Sequence, residues 1–274
     1  MRRLGIPSRA ADAGLARAPR APAYAAPPRG CAGPRHAALT LPPAVMQGYT
    51  LYYWPSFTGR VEPILLLLED AGEAYDLVRD LSTVTGTDSD GVGAPAFACP
   101  VLRRGHFTLA QTTAILEYLG RQHGYMPRGG AEADANCLQL ALNAADIWQE
   151  AYKARREPDE GAEYLRERLG LWLANLAAFF AKTSGPGPFF FGPEPTFADF
   201  AVLNALNILV YMFAAGPLFP PELLAWKAAM EARPGVAAYL ETAEPVLYDQ
   251  VGVGQTVPTP EEIAAFHATK GAKL

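Results

Sequence analysis

The chain has 274 residues, half of them hydrophobic, and a net charge of −5; its length suits one or two domains, and no apolar run is long enough to span a bilayer. Residues 1–45 carry seven arginines against Asp12 alone, a local charge of +6 that leaves −11 on the rest. An acidic globular body argues against a nucleic-acid partner, and the spacing of Cys31, Cys99 and Cys137 suggests neither a zinc site nor a disulfide framework, which fits a reducing compartment.

Residues 1–45 are mostly Ala, Pro, Arg and Gly. With few large apolar side chains they cannot bury enough surface to offset their ordering entropy, so disorder is expected. Their arginines and near absence of acid suit an organelle transit peptide. Their scarce serines and many prolines do not. Translated sequence upstream of a start at Met46, or a true extension, are the other readings.

Tyr49 to Trp54 is a short aromatic, β-branched and aliphatic run, which predicts a strand buried on both faces. Pro55 to Thr58 break it. Gly59 then releases the chain into an apolar helix, Arg60 to Ala71, closed by Gly72, with Pro63 in the first turn where its missing N–H costs little. Tyr53 would thus stand close to a helix N-terminus, which favours anions. A phenol there suggests a site that holds a thiolate or a carboxylate.

Tyr75 to Val78 reads as a second strand and Leu81 to Pro95 as a loop. Phe97 to Leu102 and His106 to Leu109 read as a hairpin around an Arg-Arg-Gly turn. Thr112 to Gln122 is a predicted helix with Thr112 as N-cap, a buried stripe of Ile115, Leu116 and Leu119, and Gly124 just past its end.

The rest is predicted helical. Ala133 to Arg156 and Ala162 to Lys182 carry apolar residues at three- and four-residue spacing. Thr196 and Asp199 are spaced as a capping box, opening an apolar helix that reaches Tyr211. Asp199 is therefore read as structural. Pro221 to Arg233 and Gly235 to Ala243 are further helices, followed by an extended or weakly helical tail.

Two stretches carry a family resemblance. The first is Tyr-Thr-Leu-Tyr-Tyr-Trp-Pro from Tyr49, followed by Gly-Arg-Val-Glu-Pro-Ile from Gly59. The second is Cys99-Pro100-Val101-Leu102 with Leu109-Ala110-Gln111-Thr112-Thr113. In this order, before a helical half, they resemble the cytosolic glutathione transferases, closest to the tyrosine-using sigma, mu and alpha classes. The resemblance covers about Met46 to Tyr248, and Met46 stands where relatives of that family usually begin.

The resemblance implies an α/β thioredoxin-like domain over 46–128 followed by an all-α helical domain over 129–274. The absence of Cys-x-x-Cys argues against dithiol redox chemistry. The resemblance implies an enzyme that conjugates or reduces small hydrophobic electrophiles with glutathione as co-substrate and no metal, in detoxification. A non-catalytic binding or assembly module of the same fold, or a glutathione-dependent isomerase resembling prostaglandin D synthase, are the alternatives. It further implies a homodimer, with no membrane or nucleic-acid partner, in the cytoplasm, or in a plastid or mitochondrion if residues 1–45 are a transit peptide.

Residue by residue, the resemblance makes Tyr53 the group that donates a hydrogen bond to the glutathione sulfur. It makes Pro100 cis, with the backbone around Ala98 and Cys99 meeting the cysteinyl part like an added strand. It puts Gln111 and Thr112 on the γ-glutamyl end, where a helix N-terminus meets a carboxylate. The bland readings are a Thr112 that only caps its helix and a Gln111 that is merely surface. The loop Leu81 to Pro95 lacks the Trp and Lys that commonly hold the glycyl carboxylate. Arg60 either contributes there or is an ion-pair partner of Glu62 or Glu69. Trp148, Tyr152 and Tyr211, with Trp54 and Phe57 opposite, would line a co-substrate pocket, or else belong to the core. Ser56 and Thr58 are the next candidates for the sulfur if no tyrosine serves.

Overall fold

A computed structural model describes residues 48–55, 57–82, 84, 95–156 and 163–242, with Leu165 described by its backbone only. The readings of residues 1–45, of Ser56, of most of the loop after Leu81 and of the tail after residue 242 lie outside the described residues.

The first half holds β1 (Tyr49–Tyr52), α1 (Glu62–Ala71), β2 (Tyr75–Val78), β3 (Val101–Arg104), β4 (Phe107–Ala110) and α2 (Thr112–His123). The strands form one sheet in the order β2-β1-β3-β4. β1 runs parallel to β2, with Tyr49 opposite Tyr75, and antiparallel to β3, with Leu51 opposite Leu102. β3 and β4 pair antiparallel, Leu102 opposite Leu109. This is the mixed four-stranded sheet of a thioredoxin-like domain.

Three local expectations are corrected. The first hairpin strand starts at Val101 rather than Phe97, whose ring is 94% exposed, and Arg103 and Arg104 are strand residues. The turn is Gly105-His106, because the pairing of Arg104 with Phe107 leaves only two residues to close it. α1 begins at Glu62 rather than Arg60, since the chain is still turning at Val61, whose N–H donates to Thr58 O at 2.8 Å. Thr112 is the first residue of α2, and Gln111, with φ 76°, is the N-cap.

α1 buries Ile64 to Leu68 completely or nearly so. Each such side chain is worth about 1.5–3 kcal/mol relative to exposure, so the run explains why this helix is enclosed rather than amphipathic. Its neighbours are α2, α5 (Phe197–Phe213) and α7 (Pro234–Thr242). The remaining helical elements are α3 (Ala131–Arg156), a π-helical turn Tyr164–Arg168 leading into α4 (Leu169–Thr183), a 3-10 turn Gly216–Leu218 and α6 (Pro221–Glu231). None of the described helices is long and apolar enough to cross a membrane.

α5 is the hub, touching α1, α2, α3 and α6. It is buried nearly all round, as its apolar sequence requires. The capping box forms. The Asp199 carboxylate accepts Thr196 N–H at 2.7 Å, Thr196 Oγ1 at 2.8 Å, Phe190 N–H at 3.0 Å and Trp226 Nε1–H at 2.8 Å. Asp199 is thus a structural anchor joining the start of α5 to α6. The far end of α1 is tied down by Asp70, which accepts Arg233 Nε–H and Nη2–H at 2.8 Å and the Tyr125 hydroxyl at 2.8 Å.

Candidate active site

Tyr53 follows β1 directly, and its N–H donates to Val78 O at 3.1 Å, one further ladder bond beyond the strand. Strand alternation places it with Tyr49 and Leu51, all buried. Tyr52 turns to the other face, beside Val84, Ala96 and Val101, with the Arg103 guanidinium 5.7 Å from its ring centre. That second face is only half-covered, so β1 is less enclosed than its sequence predicts.

The Tyr53 hydroxyl accepts the Arg60 amide N–H at 2.8 Å, and its ring stands edge-on to Phe57 at 5.4 Å. Burial pushes the phenol up to about 12, against the pull of the Arg60 amide. At neutral pH the group therefore keeps its proton and can donate it in a hydrogen bond to an anion. The turn reaches the hydroxyl because residue 59 is glycine. Its φ is 39°, and a Cβ there would lie 2.7 Å from the Tyr53 oxygen. Arg79 pins the same loop by donating to the carbonyls of Trp54 and Phe57. No motif marks Arg79, which is why sequence reasoning passed over it.

Arg60 pairs with neither carboxylate proposed for it. Glu62 turns inward, 8% exposed, with its carboxylate accepting from the Thr58 hydroxyl at 3.2 Å. Burial pushes it up to about 7. Glu69 accepts instead from the Tyr75 hydroxyl at 2.6 Å. The Arg60 guanidinium lies 4.6 Å from the Trp148 ring centre and donates to Gln149, both on α3. It lines one cleft with Gln111, Thr112, Trp148, Pro63 and Asn204. The geometry therefore sets Arg60 with the predicted γ-glutamyl residues.

Thr112 Oγ1 donates to Arg60 O at 3.0 Å, so it braces the same turn rather than capping its helix. Gln111 is exposed, and its positive φ is costly for a non-glycine residue. The first amides of α2 open beside both. The Cys99–Pro100 peptide is cis, as the resemblance implied. The Cys99 sulfur sits at the backbone amide of Trp54, and burial pushes the thiol up, keeping it neutral. Pro100 is buried, and Ala98 is exposed on the bend before it.

Of the predicted pocket aromatics, Trp148 and Tyr152 stack at 5.2 Å. Trp148 is 7% exposed and Trp54 49%. Tyr211 is half-buried against the core. Two buried polar atoms in the cleft, Trp148 Nε1 and Asn204 Oδ1, find no partner among the described residues. Asn204 was missed from sequence because an asparagine in an apolar helix carries no motif.

Residues 144–243 match the glutathione S-transferase C-terminal domain model. The chain is 27% identical over 201 residues to glutathione S-transferase P 1 of Xenopus laevis, covering 72% of this chain and 93% of that protein. A Caenorhabditis elegans glutathione S-transferase structure superposes with a TM-score of 0.61 at 28% identity, covering 73% of this chain and all of that one. A structure of prostaglandin synthase D from Nilaparvata lugens shares the fold, with a TM-score of 0.57 at 20% identity over 72% of this chain and 98% of that one. The curated relative carries the P designation rather than sigma, mu or alpha. In sequence along most of its length and in fold, the chain is similar to the cytosolic glutathione S-transferases, and its helical half matches their C-terminal domain model.

Proposed function

We propose that the protein is a glutathione transferase that joins the glutathione sulfur to small hydrophobic electrophiles, with Tyr53 as the group that favours thiolate. The observation that carries this is the Tyr53 hydroxyl itself. Its oxygen is occupied by the Arg60 amide at 2.8 Å, which leaves its proton to point elsewhere, and Cys99 with its cis proline lies alongside. A free thiol has a pKa of about 8.5, and lowering it by about 2 units needs about 2.7 kcal/mol. A phenol hydrogen bond to an anion in a partly dry site, beside a helix N-terminus, is of that size.

In this reading Arg60, Gln111 and Thr112 hold the γ-glutamyl end at the opening of α2. The backbone of Ala98 and Cys99 before Pro100 meets the cysteinyl part. The thiolate attacks the electrophilic carbon, a sulfur–carbon bond forms, and the leaving group departs with its electron pair or, in an addition, the adduct takes a proton. Trp148 and Tyr152 on α3, with Trp54 and Phe57 opposite, offer apolar walls for the electrophile. The protein would act in detoxification in the cytoplasm, as a homodimer.

Full-length protein should be retained on immobilised glutathione and should turn over members of a panel of aryl halides, epoxides and enones. Retention without turnover of any class would make it a binding module instead. Neither retention nor turnover would remove the reading altogether.

A further inference from the structure

Asn204 lies on α5, in the helical half, and is 4% exposed. Its Nδ2 donates to Gly59 O at 3.3 Å, across 145 residues of sequence. The orientation of the side-chain amide follows from chemistry, since a backbone carbonyl can only accept. Gly59 C=O and Arg60 N–H belong to one peptide unit, and that N–H is the one that donates to the Tyr53 hydroxyl. The next carbonyl, Arg60 O, accepts from Thr112 Oγ1 at 3.0 Å. The turn that meets Tyr53 is thus held by one side chain from α5 and one from α2.

We infer that Asn204 is a positioning residue for the sulfur-activating phenol, acting through the Gly59–Arg60 peptide. The inference rests on the reading of Tyr53 as the donor to glutathione sulfur. Hydrogen bonds on both sides of one peptide polarise it in the same sense. The Asn204 N–H draws charge towards Gly59 O, which makes the Arg60 N–H a stronger donor. A stronger donor to the Tyr53 oxygen leaves the phenol proton more acidic and a better donor to thiolate. The contact also adds a second restraint on the plane of a peptide that turns through a glycine at φ 39°. Asn204 touches no reacting atom in this scheme.

The test compares wild type with Asn204→Leu, which keeps the shape and removes the N–H, and with Asn204→Ser, which is too short to reach the carbonyl. The readout is the pH titration of thiolate absorbance in the glutathione complex, followed alongside turnover. Each variant should raise the thiolate midpoint by about 0.5–1 unit and lower turnover at neutral pH about 3- to 10-fold, with the two rates converging at high pH. A mere loss of packing would lower stability and leave the midpoint in place, which would overturn the inference. If wild type forms no thiolate, the glutathione reading fails first and takes the inference with it. If neither variant folds, hydrogen exchange on wild type decides. The Arg60 amide should be strongly protected in the free protein, and exchange at the rate of an open loop would overturn the proposal.

Discussion

The Arg60 amide donates to the Tyr53 hydroxyl at 2.8 Å, closing a turn that brings the start of α1 onto the end of β1. Tyr53→Phe removes the acceptor and the proton together. Turnover at neutral pH should fall about 10- to 100-fold, if the hydroxyl supplies about 1.5–3 kcal/mol, and the pH midpoint should rise. Glutathione affinity should change much less, because Gln111, Thr112 and the Cys99 backbone stay in place. Tyr52→Phe is the control, since that ring faces Val84, Ala96 and Val101. Turnover lost in Tyr52→Phe and kept in Tyr53→Phe would refute the assignment.

Gly59→Ala should be worse for chemistry than for folding. The added methyl would meet the Tyr53 oxygen at 2.7 Å and the Phe57 ring at 2.8 Å. A positive φ also costs a non-glycine residue about 1–2 kcal/mol. The loop must move off the phenol, so turnover should drop at least about 10-fold while unfolding free energy falls by about 1–3 kcal/mol. Full turnover in a variant that is otherwise folded would show that the close approach has no bearing on activity.

Glu62 makes stability depend on pH in an unusual direction. Burial raises its carboxyl from 4.5 to about 7 in the folded protein. The folded state therefore binds the proton more tightly than the unfolded chain. The stability this contributes is complete below about 4.5, falls as pH rises and is lost above about 7. Glu62→Gln abolishes the titration while keeping the shape. Unfolding by urea should show the variant gaining on wild type between pH 5 and 8, by about 2–3 kcal/mol in total. A constant difference between the two across that range would mean that Glu62 is not held neutral.

Arg233→Leu should leave the Asp70 carboxylate, 2% exposed, without its cation. Arg233 is itself 24% exposed, so the loss should sit near the lower end of the buried-pair range, about 2–3 kcal/mol. Adding Asp70→Asn should restore part of it, because the stranded charge is gone. Equilibrium unfolding of the three proteins measures this, and a single-variant loss under about 0.5 kcal/mol would show the pair to be ornamental.

The order of elements was legible in the chain because periodicity and punctuation are local. The apolar run from Ile64, the glycines that close α1 and α2, and the capping box at Thr196 and Asp199 each depend on neighbours in sequence. Tyr53 at the head of a helix followed from strand, turn and helix lengths alone. What Arg60 and Glu62 do was decided only by tertiary structure. Two residues apart on one turn, they go opposite ways. Glu62 is taken inward with Thr58, and Arg60 is drawn onto Trp148 and Gln149, nearly ninety residues downstream. Asn204 and Arg79 were invisible for the same reason. Each satisfies a backbone carbonyl of the Trp54–Gly59 loop from a distant element. A lone polar residue carries no pattern until the fold shows which buried peptide group it must satisfy.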